Sequence, residues 1–178
     1  MDAKGADHLS RVRHSREEFA SANERLVKRL RSSDDHAAER VAADGGWSAA
    51  QVGWHVATVN TRFAALLSGD IPAVKPLPDD FQEKRWKDIA AELPEKIAAS
   101  AAAMPPPHVS RHDAIAALEA SAVKMARAFD TLTAERGARI GVTNQLVGTI
   151  NLYQVGDWAA SHAARHDAQA HRALSSGA

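Results

Sequence analysis

The segment SHAARHDAQAH, residues 161–171, sets three imidazoles into an alanine-rich run that otherwise favours helix. His162 and His166 are four residues apart. On a helix turning about 100° per residue they lie about 40° from each other with Cβ atoms some 5–6 Å apart, close enough for both rings to meet one metal ion. His171 falls on the opposite side. In a second run, His55 shares its face with Val52, Val59, Phe63 and Leu66, at three- and four-residue separations. A lone histidine on such a face is ordinarily a core residue with satisfied ring nitrogens. The 162/166 pair also sits on a core-type face, with Trp158, Ala159, Gln169, Ala170 and Ala173. Buried imidazoles need partners for their ring nitrogens, and three that converge can meet that need by sharing a cation. The expectation is therefore a metal site of His55, His162 and His166. Neutral imidazoles suit zinc, nickel, iron or copper, and three protein ligands leave at least one coordination position open for water or substrate.

Other polar residues near this set divide by angle. Asp157 and Asp167 lie roughly 140° around the helix from His162, so neither is expected to reach the same ion. His108 and His112 are available as a fourth ligand, although ordinary loop histidine is the commoner role. Arg62 lies about 20° off the His55 face and Arg165 about 60° from His162, where each offers a charged fork to a substrate carboxylate or makes a salt bridge at the rim. Gln169 is placed to hydrogen-bond His166 from outside the metal.

Several chemistries lose their usual carriers. The chain of 178 residues has no cysteine, which excludes disulfides, thiolate ligands and a cysteine nucleophile within it. The HAARH run lacks the glutamate of an H-E-x-x-H zinc protease, and no G-x-x-x-x-G-K-[ST], G-x-G-x-x-G or G-x-S-x-G sequence occurs. Twenty-two basic residues balance 22 acidic ones, so no charge excess exists to displace counterions from a nucleic acid. The N-terminal MDAKGADHLSRVRHSREEF is charged throughout, without the apolar stretch of a secretory signal, and no run approaches the ~18 apolar residues of a membrane span. The expectation is a soluble, cytoplasmic protein with a small-molecule substrate and neither nucleic acid nor membrane as partner.

The elements that must position the histidines follow from the prolines. All seven lie between Pro72 and Pro107, which leaves the rest of the chain free for long helices. Leu9, Val12, Phe19, Leu26 and Leu30 step by threes and fours, with Arg16 and Asn23 in two skipped slots, and predict a helix over 7–32. Ile115, Leu118, Ala122, Met125, Phe129 and Leu132 predict another over 111–133. Ser48 and Gln51 form a capping-box pattern that starts a helix ending near Ser68, before Gly69. Asn151 and Gln154 repeat that pattern for a last helix to about Leu174. The proline-rich segment 70–108 is too long for a turn and is expected to carry a short helix around 88–103. The remaining segments show no strand-like alternation. The prediction is a single all-α domain over 1–178, a four-helix bundle with a long crossover between helices two and three.

With these residues in place, W-S-x-x-Q-V-x-x-H-V at Trp47 to Val56, followed by H-x-x-R-H-x-x-Q at His162 to Gln169, resembles the DinB/YfiT-like superfamily over most of the chain. The resemblance implies an up-down-down-up bundle and a divalent ion, commonly nickel or zinc, on His55, His162 and His166. It implies a thiol S-transferase that activates a low-molecular-weight thiol such as bacillithiol, mycothiol or glutathione. It also implies a homodimer. A metal-dependent hydrolase remains an alternative, in which the ion makes hydroxide from water. A non-catalytic binding or stress-response module is a third. The superfamily's link to DNA damage finds no support in the charge balance.

Overall fold

In the computed structural model, which describes residues 3–42 and 45–175, four long helices carry most of the chain. They are α1 (Ala3–Arg31), α3 (Ala49–Ser68), α5 (Arg111–Asp130) and α7 (Leu152–Ser175), each close to its predicted span. Three short helices stand between them, α2 (Asp35–Glu39), α4 (Trp86–Ala91) and α6 (Ala134–Arg139), with one 3-10 turn at Ala101–Ala103. Helix α1 packs on α7 and α5, and α3 packs on α5 and α7. All four surround one core in which Leu26, Leu30, Val52, Val56, Leu118, Met125, Phe129 and Val155 are almost wholly enclosed. Among the described residues no helix is long and apolar enough to cross a membrane.

Local chemistry explains the helix ends. Ser48 Oγ accepts from the Gln51 amide at 3.1 Å while Gln51 Oε1 accepts from the Ser48 amide at 2.9 Å, the reciprocal pair of a capping box. Asn151 and Gln154 repeat it at the start of α7, with both bonds at 3.0 Å. Gly69 ends α3 in the left-handed region at φ +83, where its N–H reaches the Ala65 and Leu66 carbonyls. Each capping glutamine then spends its side-chain N–H₂ on the α3–α5 crossover. Gln51 Nε2 donates to the carbonyls of Pro106 (2.9 Å) and Pro107 (3.1 Å), and Gln154 Nε2 to that of Lys84 (2.7 Å).

Three expectations need correction. Leu9 is 55% exposed, whereas the skipped slot Asn23 is buried, where its Oδ1 accepts from Asn60 Nδ2, which also donates to Ser121 Oγ. Periodicity marks the inward face of α1; it does not mark where along the helix the core begins. The single helix expected at 88–103 is broken. Pro94 has no amide hydrogen and pushes Leu93 away from helical geometry, so α4 stops at Ala91 and only the turn at Ala101–Ala103 follows.

The third correction is a small antiparallel sheet in order β1-β2-β3, from β1 (Lys75–Pro76), β2 (Ile140–Asn144) and β3 (Gly148–Asn151). Val142 and Ile150 pair across the hairpin on its buried face, and on the exposed face Thr143 Oγ1 lies 2.9 Å from Thr149 Oγ1. The hairpin delivers the chain directly into the cap of α7. Gly141 is required where the strands close, because a Cβ there would lie 2.1 Å from the Ile150 carbonyl oxygen and 2.6 Å from Leu77 Cδ2. Gly141→Ala is expected to destabilise by roughly 1–3 kcal/mol, read as a lowered denaturant midpoint; an unchanged midpoint would contradict this close approach.

Candidate metal centre

Helices α3 and α7 pack side by side, and their contact brings three imidazoles from distant parts of the chain together. Ligand nitrogens of His55, His162 and His166 all lie within 4.8 Å of one another. Ring centroids are 4.4 Å apart for His162 and His166, 4.7 Å for His55 and His166, and 5.3 Å for His55 and His162. No other group of three metal-ligating side chains occurs among the described residues.

Two of the rings are held from outside. His55 Nδ1 lies 2.8 Å from the carbonyl oxygen of Ala103, which can only accept, so this nitrogen carries the hydrogen and Nε2 keeps its lone pair. His166 Nδ1 donates in the same way to Gln169 Oε1 at 2.7 Å, again leaving Nε2 free. Gln169 therefore takes the supporting position its spacing suggested. His162 differs, because its Nδ1 is sealed from solvent and has no hydrogen-bond partner. A buried ring nitrogen left unpaired is costly, and a cation is a partner that would relieve it.

The electrostatics favour neutral, ligating rings. Burial holds His162 well below the usual imidazole range, and the neighbouring imidazoles of His166 and His55 and the Arg165 guanidinium push it the same way. Burial, with His55 next and Arg165 a lesser influence, lowers His166 to about 4 against the opposing effect of the hydrogen bond it donates to Gln169. His55 is lowered by burial and partly restored by the Ala103 carbonyl. A tetrahedral ion bound at roughly 2.0–2.1 Å spaces its nitrogen ligands about 3.4 Å apart, so ring rotations and small shifts suffice to close the set. Three neutral nitrogens, two with Nε2 lone pairs to offer and the third with an unpaired nitrogen, fit a divalent transition metal.

Aromatic rings wall the cluster. Trp47 lies against His55 at 4.8 Å, Phe63 stands edge-on to His162 at 5.8 Å, and Trp158 packs on Phe63 at 5.1 Å. Trp86 on α4 donates through Nε1 to Ser161 Oγ at 2.7 Å, one residue before His162. The other candidates lie elsewhere. His108 and His112 are largely exposed, with Glu39 and Asp113 as their neighbours. Asp157 accepts from Ser15 at 2.5 Å, and Asp167 binds Arg29 at 2.8 Å and Arg25 at 3.3 Å, so both carboxylates tie α7 to α1. Arg62 is exposed, and His171 is exposed away from the cluster. Arg165 donates to the carbonyls of Pro94 and Glu95 and thus clasps the crossover to α7.

Sequence reasoning missed the Ala103 carbonyl, the second bond of Gln51 and the Trp86–Ser161 contact. A backbone carbonyl carries no residue-type signal, and the reach of Gln51 depends on where the crossover lies.

Fold and cluster together define a mostly helical protein with a three-histidine cluster suited to a divalent metal. The family model for the DinB superfamily matches residues 18–170, and the chain belongs to that superfamily. Neither the curated proteins nor the solved structures contain a match to the chain.

Proposed function

We propose that this protein is a metal-dependent enzyme that joins a low-molecular-weight thiol to a small electrophilic substrate, with His55, His162 and His166 holding one zinc or nickel ion. The observation that carries the metal is the enclosed, unpartnered Nδ1 of His162 beside two imidazoles whose Nδ1 hydrogens are already committed. When bound, a divalent ion supplies Lewis acidity that lowers the pKa of a thiol or water in its open position. Thiol transfer is the activity the superfamily resemblance implies. In a chain without cysteine, the sulfur nucleophile of such a reaction comes from a diffusible molecule.

The chain's own residues bind and orient. The Ala103 carbonyl and Gln169 hold two rings in one tautomer, and Trp47 against His55 and Phe63 against His162, with Trp158 packed behind Phe63, give the half-buried cluster an apolar wall. The crossover, clasped through Trp86 and Arg165, supplies selectivity. We also propose that the four long helices follow the up-down-down-up order. Supporting it, α3 and α5 pack together yet are joined by a long crossover, as parallel neighbours require.

The test incubates metal-loaded protein with monochlorobimane and, in turn, glutathione, mycothiol, bacillithiol or no thiol. Conjugation with one of the thiols, lost on chelation and in His166→Ala, is the expected result. Turnover of ester or amide substrates without thiol, and no conjugation with any thiol, would mark the hydrolase. Silence in both assays would mark a binding module.

A further inference from the structure

Pro105, Pro106 and Pro107 have no amide hydrogen, so the only backbone polar groups of this run are carbonyls, which must find donors elsewhere. Two of these carbonyls, and that of Ala103 just before the run, find donors in the first two turns of α3. Gln51 Nε2 donates to Pro106 and Pro107 at 2.9 and 3.1 Å, and one turn later His55 Nδ1 donates to Ala103 at 2.8 Å. The assignment of the Gln51 amide is fixed from both sides, since its oxygen must face the Ser48 N–H and its nitrogen the two carbonyls. Between the two attachment points the chain is stiff. Met104, held before a proline, is extended at φ −67, ψ 127, and each proline locks φ near −65°. A stiff strut held at 106–107 determines where the Ala103 carbonyl lands at its other end.

We infer that Gln51 is a positioning residue for the three-histidine centre: by fixing the proline strut it places the Ala103 carbonyl, which sets the tautomer and orientation of His55. The consequence for metal affinity rests on the function proposed above, whereas the effect on the His55 tautomer does not. Gln154 provides an internal comparison. It has the same cap and the same kind of clamp, but its clamp closes on Lys84, far along the crossover from Ala103.

Gln51→Glu keeps the oxygen that caps Ser48 and replaces the donor with an oxygen facing two carbonyls. Gln154→Glu makes the same exchange at α7. Long-range proton–nitrogen NMR of the metal-free proteins at pH 8, where the imidazoles are neutral, reports each tautomer, the His55 signal being identified by its loss in His55→Ala. Competition against a chromophoric chelator gives zinc affinity. The wild type is expected to show His55 as the Nδ1–H form. Gln51→Glu should show a mixture with the Nε2–H form and about 10- to 100-fold weaker zinc binding, while Gln154→Glu shifts neither. Pro105→Gly loosens the strut without touching cap or ligands and should move both readouts in the same direction. An unchanged His55 tautomer in both Gln51→Glu and Pro105→Gly would overturn the inference. So would equal effects of Gln51→Glu and Gln154→Glu, which would mark a general loss of structure. Zinc binding indifferent to His162→Ala would remove the three-histidine reading alone, and the His55 tautomer would still decide the role of Gln51.

Discussion

Protein carrying His162→Ala is expected to lose its stoichiometric divalent metal, with zinc affinity reduced by roughly a hundredfold or more. That exceeds the 10- to 100-fold typical of losing a group that only supports a ligand. The size follows from the site's composition. Three imidazoles converge, no carboxylate among the described residues joins them, and Asp157 and Asp167 are engaged with α1. Removing His162 leaves two ligands on different helices, and alanine offers nothing in place of the buried ring nitrogen that lacks a partner. Metal content by elemental analysis, on protein purified without chelating resin, checks this directly. Wild type should hold about one ion per chain and His162→Ala a small fraction of that, with unchanged helical circular dichroism. Equal metal content in the two proteins would place the ion elsewhere.

The largest effect on stability is expected from Phe129→Ala, at about 3–5 kcal/mol. This ring, 1% exposed, lies where three of the long helices meet. Phe19 of α1 packs against it at 6.4 Å, the Arg16 guanidinium covers it at 5.8 Å, and on the α7 side it closes on Gly156 so tightly that a Cβ there would lie 3.0 Å from Phe129 Cε1. Truncation leaves a cavity that such a crowded junction cannot readily fill. Against the 5–15 kcal/mol typical of a whole domain, this is a large share. Guanidinium unfolding should show a lowered midpoint with an unchanged slope, and saturating zinc should recover part of the loss, because an ion bound only to the folded state stabilises it by mass action. A loss below about 1 kcal/mol would mean that the ring is not packed as described.

What the sequence determined by itself is what short-range interactions decide. The capping pairs Ser48–Gln51 and Asn151–Gln154 act over three residues, and both helices begin where the pattern places them. The left-handed stop at Gly69 is a property of one residue. His162 and His166 share a face through helix pitch alone, and apolar stepping puts His55 on an inward face of its own helix. The superfamily motif adds the pairing of those faces, which periodicity does not contain. Tertiary structure alone decided the rest. The hairpin at 140–151 is too short for alternation to announce it, and its register depends on β1 and on the space that Gly141 leaves open. Arg165 could have faced a substrate or a rim partner, and the path of the crossover turned it to the carbonyls of Pro94 and Glu95. The Ala103 carbonyl could not be read at all, since every residue has one. It bears on His55 only because the proline strut crosses the start of α3, bringing together groups 48 residues apart in the chain.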